Sequence, residues 1–391
     1  MPPSCPTTAS GTGKARLEAA EIFRRFGPSF QARHRLPPQH GRVLRHLIAC
    51  RTEALGGHVD WCEHCGHTVK TYNSCRDRHC PSCQGAQQLR WIARREKRLV
   101  ATHHFHVVFT MPEELRPLAR TSPEVVYALM FAAARDTLLE LAKDRWDAVP
   151  GVTAVLHTWT RQMTLHPHVH CIVTGGGLDT DDGWVASRKN FLFPVRVMGA
   201  LFRGKFLAGL ERARRAGKLR FTGSAAELAN PGLFDDLVRR LRRTSWVVYA
   251  KRPFGGPEQV LRYLGRYTHR VAISSSRLVA IDEHQIVFRT HGERTCRLSP
   301  DELLRRFLLH VLPKGFNKIR HYGLYASSNV ARRLLVAQEV VAHLCRAERR
   351  RSTPVEVPSP PPRPTTCPVC QVGRWRRSTL PPARAPPRAG P

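Results

Sequence analysis

Acidic residues are scarce in this sequence of 391 residues, which contains 30 Asp and Glu against 63 Lys and Arg. The formal net charge is therefore +33, and the basic surplus runs through most of the chain instead of sitting in one tail. Such a charge predicts a polyanionic partner, and nucleic acid is the first candidate. The alternative is a ribosome-associated or merely basic protein. Discrete chemistry elsewhere in the sequence would distinguish the two.

Long hydrophobic runs are also missing. No apolar segment reaches the ~18 residues needed to span a bilayer, and the opening MPPSCPTTASGTGKAR lacks the apolar stretch of a secretory signal peptide. We therefore expect a cytoplasmic protein. The hydrophobic content of 42% is ordinary for a globular protein and argues against a fibrous or wholly disordered chain.

Cysteine, in contrast, is abundant. The chain has 12 cysteines, and a reducing compartment would keep them from forming disulfides. Cys62 with Cys65, and Cys80 with Cys83, form two CxxC motifs separated by 14 residues. This spacing is close to that of two knuckles around one tetrahedral zinc ion. We predict one structural zinc bound by these four thiolates.

Other side chains around the two motifs extend this prediction. Two cysteines and two histidines could form a second zinc site or could simply be exposed: Cys50, His58, Cys75 and His79. Arg76 and Arg78 lie between the motifs, so the same module is expected to contact a nucleic-acid backbone.

Hydrophobic periodicity predicts a chain that mixes helices with short antiparallel hairpins. Helices are expected from Leu17 toward Phe26 and over residues 42–50, 125–133, 257–270 and 300–311. Strands are expected over residues 105–110, 152–163, 168–174 and 246–249, with a second hairpin over 277–290 that turns at Asp282-Glu283.

A pair of histidines lies on the second strand of the first predicted hairpin. His168 and His170 alternate with Val169 and Cys171, so both imidazoles should leave the same face of the strand. Two histidines in this arrangement can bind one divalent ion. The pattern alone is weak, but a triple glycine follows it, and a substrate backbone could approach closely there.

Two tyrosines occupy one face of the helix predicted after Pro257. Tyr263 and Tyr267 lie one turn apart. A second stripe on the same helix is basic and consists of Arg262, Arg266 and Arg270. Both tyrosines could be core residues, but the arginines would place phosphates beside a nucleophilic hydroxyl.

Five segments resemble, in the same order, the two-tyrosine HUH transposases of the insertion sequence 91 family. They are YNSCRDRHCPSCQ, HHFHVVFTMP, LHPHVHCIVTGGG, YLGRYTHRVAIS and HVLPKGFNKIRHYGLYA. The resemblance covers roughly residues 17–345. It implies an α+β fold, in which a ferredoxin-like HUH endonuclease core with an antiparallel sheet follows a small helical zinc-binding domain.

The resemblance also implies a chemistry. A hydroxyl of Tyr263 or Tyr267 attacks a phosphodiester of single-stranded or hairpin DNA, forming a 5′-phosphotyrosine and a free 3′-hydroxyl. Mg²⁺ or Mn²⁺ bound by His168 and His170 assists, and the third protein ligand is expected to be Gln162 or Gln259. Two tyrosines permit a relay of the cut strand between them. The alternatives are a non-catalytic zinc-dependent DNA-binding protein and an HUH replication initiator or relaxase.

These interpretations divide the chain into four parts. Residues 1–16 are expected to be disordered, 17–100 to form the zinc-binding and DNA-binding domain, and 101–345 to form the catalytic domain. Residues 346–391 are predicted to be a disordered, basic, proline-rich tail, in which the CxxC of Cys367 and Cys370 has no second knuckle.

Overall fold

The computed structural model describes residues 17–251, 253, 265, 272–346 and 366–383. The described helices are α1 (Ala19–Arg33), α2 (Pro38–Ala49), α3 (Gln84–Glu96), α4 (Arg116–Thr121), α5 (Pro123–Trp146), α6 (Val195–Arg215), α7 (Pro231–Arg243), α8 (Pro300–Leu308) and α9 (Arg333–Arg346). The described strands are β1 (Gly57–Cys62), β2 (Thr68–Tyr72), β3 (His104–Thr110), β4 (Gly151–Trp159), β5 (Leu165–Thr174), β6 (Gly176–Leu178), β7 (Trp184–Ala186), β8 (Val248–Lys251), β9 (Leu278–Ile281), β10 (Ile286–Arg289), β11 (Thr295–Leu298), β12 (Ile319–Gly323) and β13 (Trp375–Leu380).

A five-stranded antiparallel sheet organises the largest part of the described chain. Its strand order is β12-β4-β5-β3-β8, and every neighbouring pair is antiparallel. The β4–β5 hairpin lies inside the sheet, where Val155 pairs with His170 and His157 pairs with His168. Since both strands are flanked by others, their backbone hydrogen bonds are satisfied on both sides.

One face of this sheet carries the main hydrophobic core. Because side chains alternate along a strand, Val169 and Cys171 of β5 point away from the histidines beside them, toward α5 and α6. Aromatic rings fill the space between sheet and helices. The centroids of Phe109 and Phe202 are 4.9 Å apart, and those of Phe202 and Trp246 are 5.5 Å apart. This core fixes the orientation of every residue on β5.

The opposite face carries the histidines, and α3 covers part of it. Trp91 and Ile92 of α3 pack against Val155 of β4 and Ile172 of β5 in a small separate cluster. Val155 pairs with His170 in the strand register, so α3 lies beside the histidines. No described helix is long and apolar enough to cross a membrane.

The N-terminal helices share a second core with a distant part of the chain. Residues of α1 and α2 cluster with residues of α8 and of the small sheet β9-β10-β11. Phe23 of α1 meets Phe307 of α8 edge to face, with centroids 4.7 Å apart. Arg33 and Asp301 form an ion pair at 2.7 Å on the exposed rim, where such a pair contributes little. Apolar burial therefore holds these elements together.

Residues near the C-terminus form a strand, within the segment that was predicted to be disordered apart from its CxxC. β13 pairs with β1 over six positions, from Gly57 opposite Leu380 to Cys62 opposite Trp375. It completes a small sheet of order β13-β1-β2. The local composition, rich in proline and arginine, concealed this strand because its pairing partner lies about three hundred residues earlier.

The α+β class predicted from the sequence is confirmed, and most predicted elements are present. The hairpin expected over residues 152–174 is β4 and β5, and the hairpin over 277–290 is β9 and β10. The strand predicted over 246–249 begins later, at Val248. Trp246 is instead buried against α6. The helix predicted over 257–270 lies outside the described residues, apart from Gly265.

Removing the aromatic contact between α1 and α8 should destabilise the second core. We expect Phe23→Ala to lower the free energy of unfolding by about 3–4 kcal/mol, because a fully buried ring is lost and a cavity is left. Urea denaturation followed by tryptophan fluorescence measures the change. Val279→Ala, at an exposed position of β9, is the control and should cost less than about 1 kcal/mol. Similar losses in both variants would contradict this account of the core.

Candidate metal centre

Three histidines from the β4–β5 hairpin converge on the second face of the sheet. His157 of β4 pairs with His168 of β5, and His170 follows two residues later on the same face. Their candidate ligand atoms all lie within 4.8 Å of one another. The ring centroid of His157 is 5.3 Å from that of His168 and 4.4 Å from that of His170. Three imidazoles this close can bind one metal ion.

Hydrogen bonds orient two of these rings. The Nδ1 of His168 donates to the backbone carbonyl of His166 at 2.6 Å, which leaves Nε2 as the ligand atom. The Nδ1 of His170 lies 2.8 Å from Nε2 of His106 on β3, and the two ring planes differ by only 1°. Partners of this kind fix the tautomer and the direction of a metal-binding imidazole.

Burial favours the neutral form of His168 and His170, which is the form that a metal requires. It lowers the pKa of His168 to about 4. Burial, and then the neighbouring His157, His168 and His106, lower the pKa of His170 well below its usual value. A protonated imidazole has no lone pair for a metal, so the depressed pKa values leave both ligands available at neutral pH.

The histidines line a cleft of about 530 Å³ with basic walls. Arg161 and Arg277 contribute to the lining, and both hold neighbouring backbone. The Nη1 of Arg161 donates to Thr290 O at 2.7 Å, and Nη1 of Arg277 donates to Ala272 O at 3.1 Å. These bonds fix two positive charges beside the imidazoles, so the cleft suits an anionic ligand.

Gln162, predicted as the third metal ligand, is not among the residues that line the histidine cleft. It is exposed in the turn between β4 and β5, and its carbonyl accepts a hydrogen bond from Arg306 at 2.9 Å. The hairpin turns earlier than expected, so the residue that faces His168 is His157, five positions before the glutamine. The pairing of His157 with His168 across the hairpin is the signal that identifies this third histidine.

The predicted tyrosine segment is described at one internal residue, Gly265, and from Ala272 onward. Tyr263, Tyr267, Gln259 and the predicted arginines Arg262, Arg266 and Arg270 lie outside the described residues. Gly265 is described, and a Cβ there would stand 2.6 Å from Ile92 Cδ1, so this residue lies against α3. Residues 272–274, immediately after the segment, line the histidine cleft.

Four cysteines form a cluster near the start of the second core. The Sγ of Cys83 lies 3.4 Å from that of Cys50 and 3.7 Å from that of Cys75, and Cys80 Sγ lies 3.5 Å from Cys50 Sγ. Zn–S bonds of about 2.3 Å in a tetrahedron imply S···S edges of about 3.8 Å, which these distances approach. The four thiolates therefore fit one zinc ion.

The predicted grouping of Cys62 and Cys65 with Cys80 and Cys83 is wrong. Cys50 precedes β1 and Cys75 follows β2, so both lie at the base of the β1–β2 hairpin with the second CxxC. Cys62 ends β1 at the tip, roughly 20 Å away for a strand of six residues. There it joins Cys65, Cys367 and Cys370.

The two histidines considered as surplus zinc ligands have other neighbours. His79 Nδ1 lies 2.9 Å from Asp77 Oδ1, and its Nε2 accepts from Leu312 N at 3.2 Å. His58 Nε2 lies 3.8 Å from an oxygen of Asp60. Neither belongs to a cysteine cluster among the described residues.

Of the two arginines predicted to contact nucleic acid from this module, Arg78 is partly buried and bonded to backbone. Its guanidinium donates to the backbone carbonyls of Leu312, Pro313 and Phe316 at 3.2, 2.7 and 2.6 Å. These bonds tie the zinc module to the loop before β12. Arg76 is exposed, so its predicted contact with nucleic acid stays a prediction.

Two family models match separate parts of the chain. A family model described as "Transposase zinc-binding domain" matches residues 22–111, and one described as "Putative transposase" matches residues 151–333. The second match contains all three clustered histidines. The fold and the matches together define a transposase with an N-terminal zinc-binding domain.

Two relatives specify the family. The chain is 44% identical over 349 residues to "Putative transposase y4qJ" of Sinorhizobium fredii (strain NBRC 101917 / NGR234), which covers 87% of this chain and 88% of that protein. It is 30% identical over 296 residues to the transposase for insertion sequence element IS801 of Pseudomonas savastanoi pv. phaseolicola, covering 72% and 69%. The chain belongs to the insertion sequence 91 family of transposases. No solved structure matches it.

The three-histidine centre makes a direct prediction about metal affinity. We expect His157→Ala to weaken Mn²⁺ binding at least about tenfold, as loss of a ligand should exceed the effect of losing a supporting hydrogen bond. Gln162→Ala, the matched control from the same hairpin, should leave the affinity unchanged. Isothermal titration calorimetry of both variants provides the measurement. A loss in the glutamine variant with an unaffected histidine variant would refute the assignment.

Proposed function

We propose that this transposase cuts and rejoins single-stranded DNA by a tyrosine-mediated, metal-dependent transesterification, acting in the bacterial cytoplasm at the nucleoid. The observation that supports this most is the three-histidine cleft together with the chain that borders it. Gly265 lies against α3 beside the histidine face, and Ala272 lines the cleft itself. Gly265 and Ala272 are the described residues nearest in sequence to Tyr263 and Tyr267, and both lie on the histidine side of the sheet.

The histidines fit a divalent ion, which we assign to His157, His168 and His170. A bound Mg²⁺ or Mn²⁺ would polarise a phosphoryl oxygen and orient the scissile bond. Neutral imidazoles suit Mn²⁺ better than Mg²⁺, because Mg²⁺ prefers a shell of oxygen ligands. The hydrogen bonds of His168 and His170 fix the directions of these two rings before the substrate arrives.

In the proposed reaction a tyrosine oxygen attacks phosphorus. The bond from tyrosine oxygen to phosphorus forms while the bond from phosphorus to the 3′ oxygen breaks, the tyrosine loses its proton, and the departing 3′ oxygen gains one. The bond energy is conserved in the 5′-phosphotyrosine, so no ATP is required. Arg161 and Arg277 supply positive charge beside the phosphate in the cleft.

Two tyrosines, Tyr263 and Tyr267, would allow one to retain the first cut end while the other attacks a second site. A single strand is the expected substrate. An attacking oxygen must come within about 3–3.5 Å of phosphorus and in line with the leaving oxygen, and a paired duplex obstructs that approach. An unstacked strand can bend into the cleft and stack bases on aromatic side chains such as Trp159.

A basic groove beside β12 offers a path for the rest of the DNA strand. This groove has a volume of about 760 Å³, and four cationic side chains, Arg95, Arg98, Lys314 and Arg320, line it with a single carboxylate, Glu124. Since the cations outnumber the carboxylate, the groove attracts phosphates.

Packing and charge indicate that this groove is preorganised. The Arg320 guanidinium lies 4.5 Å from the ring centroid of Phe131 and 5.3 Å from that of Phe316. Burial, followed by the charges of Arg95 and Arg98, lowers the pKa of His321 to about 4. From the strand spacing and register, His321 lies roughly 16 Å from His168. One single strand of DNA can therefore contact both the groove and the histidine cleft.

The nucleophile is tested by phenylalanine substitution, which removes the hydroxyl and preserves the ring. We expect the double variant Tyr263→Phe/Tyr267→Phe to form no covalent adduct with a single-stranded oligonucleotide, while its DNA affinity stays within about threefold of the unmodified protein. A denaturing gel detects the adduct. Each single variant should retain one of the two attacks, and relaxed duplex should be cut poorly.

His168→Ala is the companion variant, and it should lose the adduct while DNA is still bound. A covalent adduct in the double phenylalanine variant, or equal cleavage of duplex and single strand, would refute the proposed mechanism. If the unmodified protein binds DNA but cleaves it with none of the divalent metals tried, the alternative of a non-catalytic DNA-binding protein is favoured.

The groove is tested by the salt dependence of binding. Arg98→Ala/Lys314→Ala removes two exposed charges, so the slope of log affinity against log salt should fall by about 1.4, the value for two phosphate contacts on single-stranded DNA. Arg240→Ala/Arg243→Ala on α7 removes the same charge away from the groove and should change the slope by less than half as much. Equal slopes in the two variants would exclude the groove as a contact surface.

A further inference from the structure

We infer that Cys62, Cys65, Cys367 and Cys370 form a second structural zinc site, built from two segments that are about three hundred residues apart. Two of these ligands lie far beyond residue 111, where the match to the transposase zinc-binding domain ends. The site therefore extends the zinc-binding module to residues near the C-terminus. It is independent of the proposed DNA chemistry.

The sulfur atoms have the spacing of a zinc site. All four lie within 4.8 Å of one another. Cys62 Sγ is 3.5 Å from Cys370 Sγ, and Cys65 Sγ is 3.7 Å from Cys367 Sγ, so each contact joins one segment to the other. A disulfide would require about 2.05 Å. The tetrahedral edge around zinc, about 3.8 Å, agrees with the observed values.

The two CxxC turns have matching backbone hydrogen bonds. The residue four positions after the first cysteine donates to the carbonyl of that cysteine in both turns: Gly66 to Cys62 at 3.0 Å and Gln371 to Cys367 at 2.8 Å. Both donors have positive φ, 70° for Gly66 and 58° for Gln371. The turns are therefore the same kind of knuckle, although only one of them contains the glycine that this conformation favours.

Backbone amides also point at the sulfurs. Cys65 N donates to Cys62 Sγ at 3.5 Å, and Gly373 N donates to Cys370 Sγ at 3.3 Å, three residues after the acceptor in each turn. Such bonds stabilise thiolates, the form in which cysteine binds a metal. The segments approach closely, since a Cβ on Gly373 would stand 2.2 Å from Cys62 Sγ.

Strand pairing and ion pairs position the two knuckles without the metal. β1 and β13 pair over six residues and end at Cys62 opposite Trp375, next to the cluster. Arg377 donates to both carboxylate oxygens of Asp60, at 2.6 and 2.9 Å. The two sides of the site are therefore aligned by the backbone, and zinc would lock that alignment.

The two cysteine clusters differ in their surroundings. The cluster of Cys50, Cys75, Cys80 and Cys83 packs against the second hydrophobic core. In the second cluster Cys65 is exposed, and the small sheet has few buried apolar side chains. A unit with little hydrophobic core depends on its metal for stability. Zinc removal should therefore release β13 before it disturbs α1 and α2.

Zinc content per chain tests this inference. We expect two zinc ions in the full chain by elemental analysis, and one in Cys367→Ser/Cys370→Ser. Cys62→Ser/Cys65→Ser should also contain one, and combining all four substitutions should still leave one. Cys296→Ser, a cysteine outside both clusters, is the control and should keep two.

Hydrogen exchange provides a second measurement that does not depend on metal counting. In Cys367→Ser/Cys370→Ser, amides of residues 57–62 and 375–380 should exchange at least about tenfold faster, while those of α1 and α2 keep their protection. Two zinc ions retained in this variant, one zinc in the unmodified chain, or a disulfide between the two segments would each overturn the inference.

Discussion

The pairing of β4 with β5 is the interaction on which the catalytic half of this transposase depends. Its register sets His157 opposite His168 and keeps both on the face that is not filled by the main core. A slip of β5 by one residue would turn His168 and His170 toward α5 and α6, leave His157 of β4 in place, and bring Val169 and Cys171 to the cleft. The apolar residues of β5 therefore determine where its histidines point.

The sheet also separates two electrostatic environments. On one side, aromatic and aliphatic side chains exclude charge. On the other, Arg161 and Arg277 line the cleft with the histidines, and four further cationic side chains line the groove along β12. Burial lowers the pKa values of His168 and His170, so these two imidazoles add no charge of their own at neutral pH.

Packing links the zinc-binding domain to the catalytic half, so the two are not independent units. Phe23 meets Phe307, and Arg78 bonds three carbonyls in the loop that leads into β12. That loop continues into the strand that flanks β4. A disturbance at the first cysteine cluster would consequently reach the edge of the catalytic sheet through a short series of direct contacts. The second cluster, at the tip of the β1–β2 hairpin, lies outside this connection.

The sequence by itself determined the features that follow from short periodic patterns of residues. These are the α+β class, the hairpin over residues 152–174, and the shared face of His168 and His170. Bond geometry sets these periods locally, so a pattern of a few residues is enough to predict them. Only the tertiary structure placed His157 beside His168 and His170, divided the cysteines into two clusters, gave Arg78 its carbonyl partners and set β13 beside β1. The first depends on the exact register of the hairpin and the others on which distant segments meet, and the free energy of the whole fold decides both.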